Sequence, residues 1–295
     1  MSRTWFITGT SRGFGRIWAQ AALDRGDRVA ATARDTSTLA DLVDRYGENV
    51  LPIQLDVTDK NAVDLAVKTA HGRFGRLDVV VDNAGYGLFT MIEEATEQQA
   101  RDQFEPNVFG ALWVTQAVLP YLREQGSGHF IQVSSIGGLN SFPGLGIYNA
   151  SKWALEGMSQ ALAAEVAGFG VKVTIVEPAG YSTDWGGRSA VHSEALPAYA
   201  DVREGLAAYW STVTPGDPKA TASAVLRSST PRSRRCGSSS APASSTRCAR
   251  STSGAWRPGR SGTTSRKRPR AAAPLPSQGP GPPHPRGAAA PRTPR

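Results

Sequence analysis

At 295 residues the chain has room for one large domain or two small ones, and its formal charge of +8 conceals two unlike parts. Residues 227–295 hold 15 of the 33 Lys and Arg and none of the 25 Asp and Glu, so residues 1–226 form an acidic body with a net charge of −7. Both cysteines, Cys236 and Cys248, fall in the basic part, which excludes a disulfide or thiolate metal site from the body; with no leader pattern before Thr4 and no apolar run long enough for a membrane span, a cytoplasmic chain is expected.

Residues 4–8 read as a short buried strand that breaks at Gly9, and a helical pattern starts near Phe14. Between them lies Thr8-Gly9-Thr10-Ser11-Arg12-Gly13-Phe14-Gly15, a glycine loop placed where free helix-start N–H groups can face an anion. A second strand, Arg28 to Ala33, is followed by Arg34. In dinucleotide-binding folds an acidic residue near this strand end suits the ribose hydroxyl of NAD and a basic one the 2′-phosphate of NADP, so Arg12 and Arg34 together favour NADP.

The alternation continues with a helix over about 36–46, a strand at 50–55, a helix over about 60–74 and a strand at 77–81. Asp56-Val57 ends the third strand, where a carboxylate could accept from an adenine amino group or cap the next helix. Asp82-Asn83-Ala84-Gly85 ends the fourth, with side chains small enough to let a ring or ribose lie close. Thr96-Glu97-Gln98-Gln99 has capping-box form and opens a helix to about Leu122, which Pro106-Asn107 should kink. Strand 129–133 delivers Ser134-Ser135, and a Gly- and Pro-rich loop reaches Tyr148-Asn149-Ala150-Ser151-Lys152. That pentapeptide sets a phenol and an ammonium on one helical face. A phenol ionises near pH ~10, and a neighbouring ammonium favours its ionised form, as proton transfer near neutrality requires. The following stripe of Leu155, Met158, Leu162 and Val166 reads as core. Strand 171–176 ends in Glu177-Pro178-Ala179-Gly180, and in the segment that follows Trp185, Leu196, Tyr199 and Trp210 suggest an apolar lid or simple packing. Apolar strands alternating with helices predict an α/β fold, a Rossmann-type doubly wound parallel sheet with its ligands at the carboxyl ends of the strands.

Taken together, residues 4–226 resemble the short-chain dehydrogenase/reductase family. The resemblance implies that Gly9, Ser11, Arg12, Gly13, Phe14 and Gly15 hold the pyrophosphate and 2′-phosphate side of NADP(H), with NAD(H) the less favoured cofactor. It implies that Asp56 and Val57 frame the adenine and that Asn83, Ala84 and Gly85 line a cofactor ribose. Ser135 would hydrogen-bond the substrate oxygen and Tyr148 pass the proton. Lys152 would lower the Tyr148 pKa and bind the nicotinamide ribose, Asn107 would anchor a water linking Lys152 to solvent, and Pro178 and Thr183 would hold the carboxamide. The activity implied is hydride transfer between nicotinamide and an apolar ketone or secondary alcohol. Two positions depart from the family pattern: Asp82 stands where Asn is usual, and Ala179 where Gly is usual.

From Arg227 onward, 12 of the 20 prolines fall in 69 residues without Val, Ile, Phe or Tyr, a composition expected to be disordered. The family has a last helix and a seventh strand here; the helix begins at Pro218 and the pattern stops after Leu226. One reading is a reading-frame shift near Arg227, since codons allowed for this stretch can encode, in another frame, an acidic Pro-bearing turn followed by an apolar strand. The competing reading is a native basic arm for nucleic acid or an acidic partner. Trp256 is the tail's only aromatic, which argues against single-stranded nucleic acid. A lost seventh strand would leave the sixth as an edge and impair the homo-oligomer that family members form through it.

Overall fold

The computed structural model describes residues 2–229. The tail expectations from residue 230 on, including the frame shift and the disorder, lie outside the described residues. Six strands form one parallel sheet in the order β3-β2-β1-β4-β6-β7: β1 (Thr4–Ile7), β2 (Arg28–Ala33), β3 (Val50–Gln54), β4 (Val79–Asp82), β6 (Gly128–Val133) and β7 (Val171–Val176). A separate two-stranded ladder joins β5 (Leu88–Phe89) to β8 (Val191–His192).

Helices cover both faces, and the side-chain alternation of the strands explains why. Phe6, Val80 and Phe130 point into one core with α3 (Lys60–Phe74), α5 (Ala111–Gln125) and the end of α6 (Gly146–Val166). Their neighbours Trp5, Ile7, Val79, Val81 and Ile131 point into the other, with α1 (Gly13–Asp24), α2 (Ala40–Tyr46) and Val225 of α8 (Ala222–Ser229). A strand buried on both faces needs an unbroken apolar run, which these are. Strand order reverses between β1 and β4, so loops after these strands diverge and leave a crevice there.

Local signals behave as their chemistry requires. Thr96 Oγ1 accepts from Gln99 N at 3.1 Å and Gln99 Oε1 accepts from Thr96 N at 3.0 Å, closing the capping box on α4 (Glu97–Phe104). Pro106 produces a π-helical turn over Glu105–Gly110 before α5 begins. The fourth strand sits two residues later than the apolar run suggested at its start, because Leu77 is core while Asp78 turns back to accept from Thr4 N at 2.9 Å. Met158 is half-buried, unlike Leu155, Leu162 and Val166. At the C-terminal end a 3₁₀ turn, Pro218–Thr221, leads into α8, which runs past Leu226 to Ser229 and is docked by Trp18 Nε1 donating to Thr221 Oγ1 at 2.8 Å. Strand β7 is an edge of the sheet among the described residues.

Candidate active site

The carboxyl ends of β1, β2, β4, β6 and β7 open into one cavity of about 1500 Å³. Its floor begins with the glycine loop. Thr8 Oγ1 accepts from Asn83 N and Ala84 N, both at 2.9 Å, and Asn83 Nδ2 donates to Thr8 O and Gly9 O at 2.9 and 3.0 Å, so the loops after β1 and β4 form one unit. Gly15 is pressed against this unit: a Cβ there would stand 2.3 Å from Gly9 O. Gly13, at φ +60°, has open space where a side chain would be. Arg12 caps α1 without a side-chain bond to its first N–H groups, and the first turn carries no acid. Open space above unpaired helix-start N–H groups fits the pyrophosphate of a dinucleotide. Ser11, Arg12, Gly13 and Phe14 line the cavity with Gly9, while Gly15 lies behind its wall.

At the next strand ends, exposed Arg34 lines the cavity beside Ala33. Asp56 and Val57 line it too. Asp56 accepts from Thr58 N at 3.0 Å and Thr58 Oγ1 at 2.8 Å, and Asp59 rather than Asp56 caps α3. Arg12 does not stand free: its Nη1 bonds Asp184 Oδ2 at 2.8 Å, a contact across 172 positions of sequence.

Asn83, Ala84 and Gly85 form the cavity wall after β4. Behind Gly85, the π turn carries Asn107 inward, where Oδ1 accepts from Tyr86 N at 3.1 Å and Nδ2 donates to Tyr86 O and Ser151 Oγ, each at 3.1 Å. Asn107 is buried and does not line the cavity. It ties the wall to α6 and so to the face that bears Tyr148 and Lys152.

Ser135, Tyr148 and Lys152 share the cavity floor. Ser135 Oγ accepts from Gly137 N at 3.0 Å, and a Cβ on Gly137 would lie 3.2 Å from Tyr148 Cε1 and 3.4 Å from Ser135 Oγ, so the glycine lets these groups meet. Lys152 Nζ donates to Val133 O at 2.8 Å and stands 5.9 Å from the centre of the Tyr148 ring. Burial pushes the Tyr148 phenol up to about 12, opposed by the Ser135 hydroxyl, and pushes Lys152 down to about 8, opposed by the Glu156 charge. Helical spacing alone points to the ammonium's pull on the phenol; the influences resolved here are burial and, opposing it, the Ser135 hydroxyl, and the phenol holds its proton at neutral pH.

The loop after β7 completes the enclosure. Pro178 O accepts from Ile136 N at 2.9 Å, Thr183 N donates to Tyr181 O at 2.8 Å, and Pro178, Ala179 and Thr183 all line the cavity. Trp185 then lies over the floor, its ring 5.0 Å from that of Tyr148 and 5.1 Å from that of Phe89. Phe142, Leu206 and Trp210 extend the apolar wall outward. Phe142, Asp184 and Leu206 also line the cavity; they are not marked by the sequence as site residues, and none carries a motif or period that could have marked it.

This fold is that of a family of oxidoreductases. The family model described as short chain dehydrogenase matches residues 3–192, and the chain belongs to that family. It is 51% identical over 190 residues to Oxidoreductase BOA17 of Botryotinia fuckeliana (strain B05.10), covering 64% of this chain and 69% of that one. A solved short-chain dehydrogenase from Streptomyces avermitilis is 45% identical with a TM-score of 0.72, over 77% of this chain and 83% of the other. Similar folds carry either cofactor. One is the 3-ketoacyl-(acyl-carrier-protein) reductase from Brucella melitensis complexed with NADH (25% identity, TM-score 0.66, 78% and 91% coverage). Another is ElxO with NADP bound (26% identity, TM-score 0.65, 77% and 91% coverage). No helix among the described residues is long and apolar enough to cross a membrane.

Proposed function

We propose that this chain is an NADP(H)-dependent oxidoreductase that interconverts an apolar ketone and a secondary alcohol, with Tyr148 as the general acid and base. The observation that carries the reading is the meeting of Ser135, Tyr148 and Lys152 on the floor of a cavity whose opposite end is an anion cradle at the start of α1. When bound, the nicotinamide supplies or accepts the hydride. Ser135 hydrogen-bonds the substrate oxygen, and Tyr148, held protonated by burial, donates its proton to that oxygen in the reductive direction. Lys152 holds the nicotinamide ribose and keeps positive charge beside the phenol. Asn107 fixes the helix that carries both and anchors the solvent link to Lys152. Pro178 and Thr183 receive the carboxamide. Asp56 and Val57 receive the adenine, and Arg12 and Arg34 the 2′-phosphate. The apolar walls of Phe89, Met91, Phe142, Leu145 and Trp185 select a substrate with little polar surface beyond its carbonyl. The reading places the enzyme in the cytoplasm, as a homo-oligomer where the C-terminal segment is intact.

Because Lys152 must stay charged, reduction is expected to fall as pH rises through about 8. Tyr148→Phe tests the core of the reading: turnover should drop at least about hundredfold while NADPH binding, followed by fluorescence, is retained. Retained turnover would remove Tyr148 from the chemistry. NAD is the second reading, favoured by the Arg12–Asp184 pair that engages one of the two guanidiniums. Arg12→Ala and Arg34→Ala should weaken NADPH but not NADH; equal losses for both cofactors would favour NAD.

A further inference from the structure

Glu156 belongs to none of the roles above. It lies one helical turn beyond Lys152 on α6, is 6% exposed, and its Oε1 has no hydrogen-bond partner among the described residues. The 3₁₀ turn Ile136–Gly138 covers it, and a Cβ on Gly138 would lie 2.5 Å from Ser134 Oγ, 3.1 Å from Glu156 Cγ and 3.2 Å from Lys152 O. A glycine is therefore what allows the floor of the cavity to close over this carboxyl group. Burying a carboxylate is costly, and an amide or apolar side chain of similar size would fill the space without that cost. Lys152, four residues back on the same helix and itself buried, is the cation that helical geometry sets beside it. Burial raises its carboxyl above the usual range and Glu177, at the end of β7, adds to this, while Ser134, Gln160 and, least of these, Lys152 favour the ionised form. In return, Glu156 is the charged group whose field favours the ammonium form of Lys152.

We propose that Glu156 is a positioning residue that acts through Lys152: its buried carboxylate, one turn along the helix, holds Lys152 as an ammonium beneath the Val133 carbonyl. The inference rests on the catalytic reading given above for Lys152, but its test is independent of turnover. The chain carries six lysines, and in protein labelled with ¹³C,¹⁵N-lysine the Lys152 side-chain signal is assigned by its loss in Lys152→Met. Its titration midpoint should fall by about one pH unit in Glu156→Gln, the low end of the effect of removing a nearby opposite charge. Glu156→Asp, which keeps the charge on a shorter arm, should give a smaller fall. If Glu156→Gln does not fold, a fall in Glu156→Asp supports the proposal and an unchanged midpoint overturns it. An unchanged Lys152 midpoint in folded Glu156→Gln overturns it outright. In parallel, the alkaline limb of carbonyl reduction should move down by the same interval, with cofactor KM little changed. A shifted midpoint in a chain that reduces no carbonyl would leave the Glu156–Lys152 coupling standing and remove the oxidoreductase reading.

Discussion

The glycine loop and the segment from Trp185 to Trp210 line the same cavity, yet different forces hold them. The loop is fixed by backbone: Thr8 and Asn83 lock it to the end of β4, and Gly15 meets Gly9 O with no room to spare. The segment is fixed by side-chain tethers. Ser193 Oγ donates to Gln99 Oε1 at 2.9 Å, Leu196 N to Glu94 Oε1 at 2.9 Å and Tyr199 OH to Glu93 Oε2 at 2.6 Å, while Arg203 pairs with Glu94. Its helix α7 (Ala200–Ser211) buries no side chain, and Trp210 is 43% exposed. Arg203 holds the Glu94 carboxyl down to about 2, so this anchor survives until pH falls to that value. A wall with little buried surface and a handful of polar anchors opens at low cost, whereas a backbone-locked wall opens only with the fold. Under the function proposed above, the yielding wall suits varied substrates and the locked wall the cofactor's phosphates.

The contrast is broken most severely at Gly15. Gly→Ala in a helix ordinarily gains about 1 kcal/mol, but the added methyl would meet Gly9 O at 2.3 Å and Asn83 Nδ2 at 2.6 Å, and the first of these is backbone. Gly15→Ala is therefore expected to lose about 2 kcal/mol or more in urea unfolding and to abolish cofactor binding. A stabilised Gly15→Ala would mean that the loop is as yielding as the opposite wall.

A smaller effect is expected at Asp82, beneath the locked wall. Its Oδ2 accepts from Gln132 Nε2 at 2.7 Å and its Oδ1 has no partner among the described residues; burial pushes its carboxyl up to about 7, with Gln132 and Thr115 opposing. A folded-state pKa raised above the unfolded value stabilises the fold at low pH, and that stability is lost as pH rises through about 7. Buried His129, pushed down to about 4 chiefly by desolvation, contributes the opposite slope, stability lost as pH falls through about 4. The two partly cancel. Asp82→Asn should expose the His129 slope, so that its melting temperature climbs more steeply than the parent's between pH 4 and 7 and exceeds it at pH 8 by the equivalent of roughly 1–3 kcal/mol. Parallel pH profiles for the two proteins would show that Asp82 does not titrate in this range.

The locked half is largely legible in the sequence and the tethered half largely is not. Gly9, Gly13 and Gly15 are legible because a backbone that must turn and pack closely accepts no other residue. Tyr148 and Lys152 are legible because a helix sets residues four apart on one face, and Thr96 and Gln99 because a cap satisfies local donors. The Arg12–Asp184 pair spans 172 positions, and nothing local to either residue demands the other. The proline at 106 announces an irregularity, but whether it kinks the helix or widens it to a π turn depends on what Asn107 must reach. Tyr148 teaches the same lesson for electrostatics: a neighbouring charge can be read from spacing, whereas desolvation comes from everything that packs around the ring.

The smallest expected effect on stability is the most informative about the second wall. Trp210 packs at 5.1 Å against Tyr209 and 6.0 Å against Phe142, and it lines the cavity from a helix without a buried side chain. Replacing an exposed residue away from the core usually changes stability by less than about 0.5 kcal/mol, so Trp210→Ala should unfold within that margin of the parent. Taking an aromatic ring away from a bound apolar substrate costs about 0.5–1.5 kcal/mol, equivalent to a KM several-fold higher, with kcat held because the ring is remote from the transferred proton. A large fall in melting temperature would mean that α7 is part of the core and the wall is not hinged on its tethers. A fall in kcat with KM unchanged would instead tie Trp210 to the placement of Trp185 over Tyr148, making the tethered segment part of the reaction geometry as well as of substrate selection.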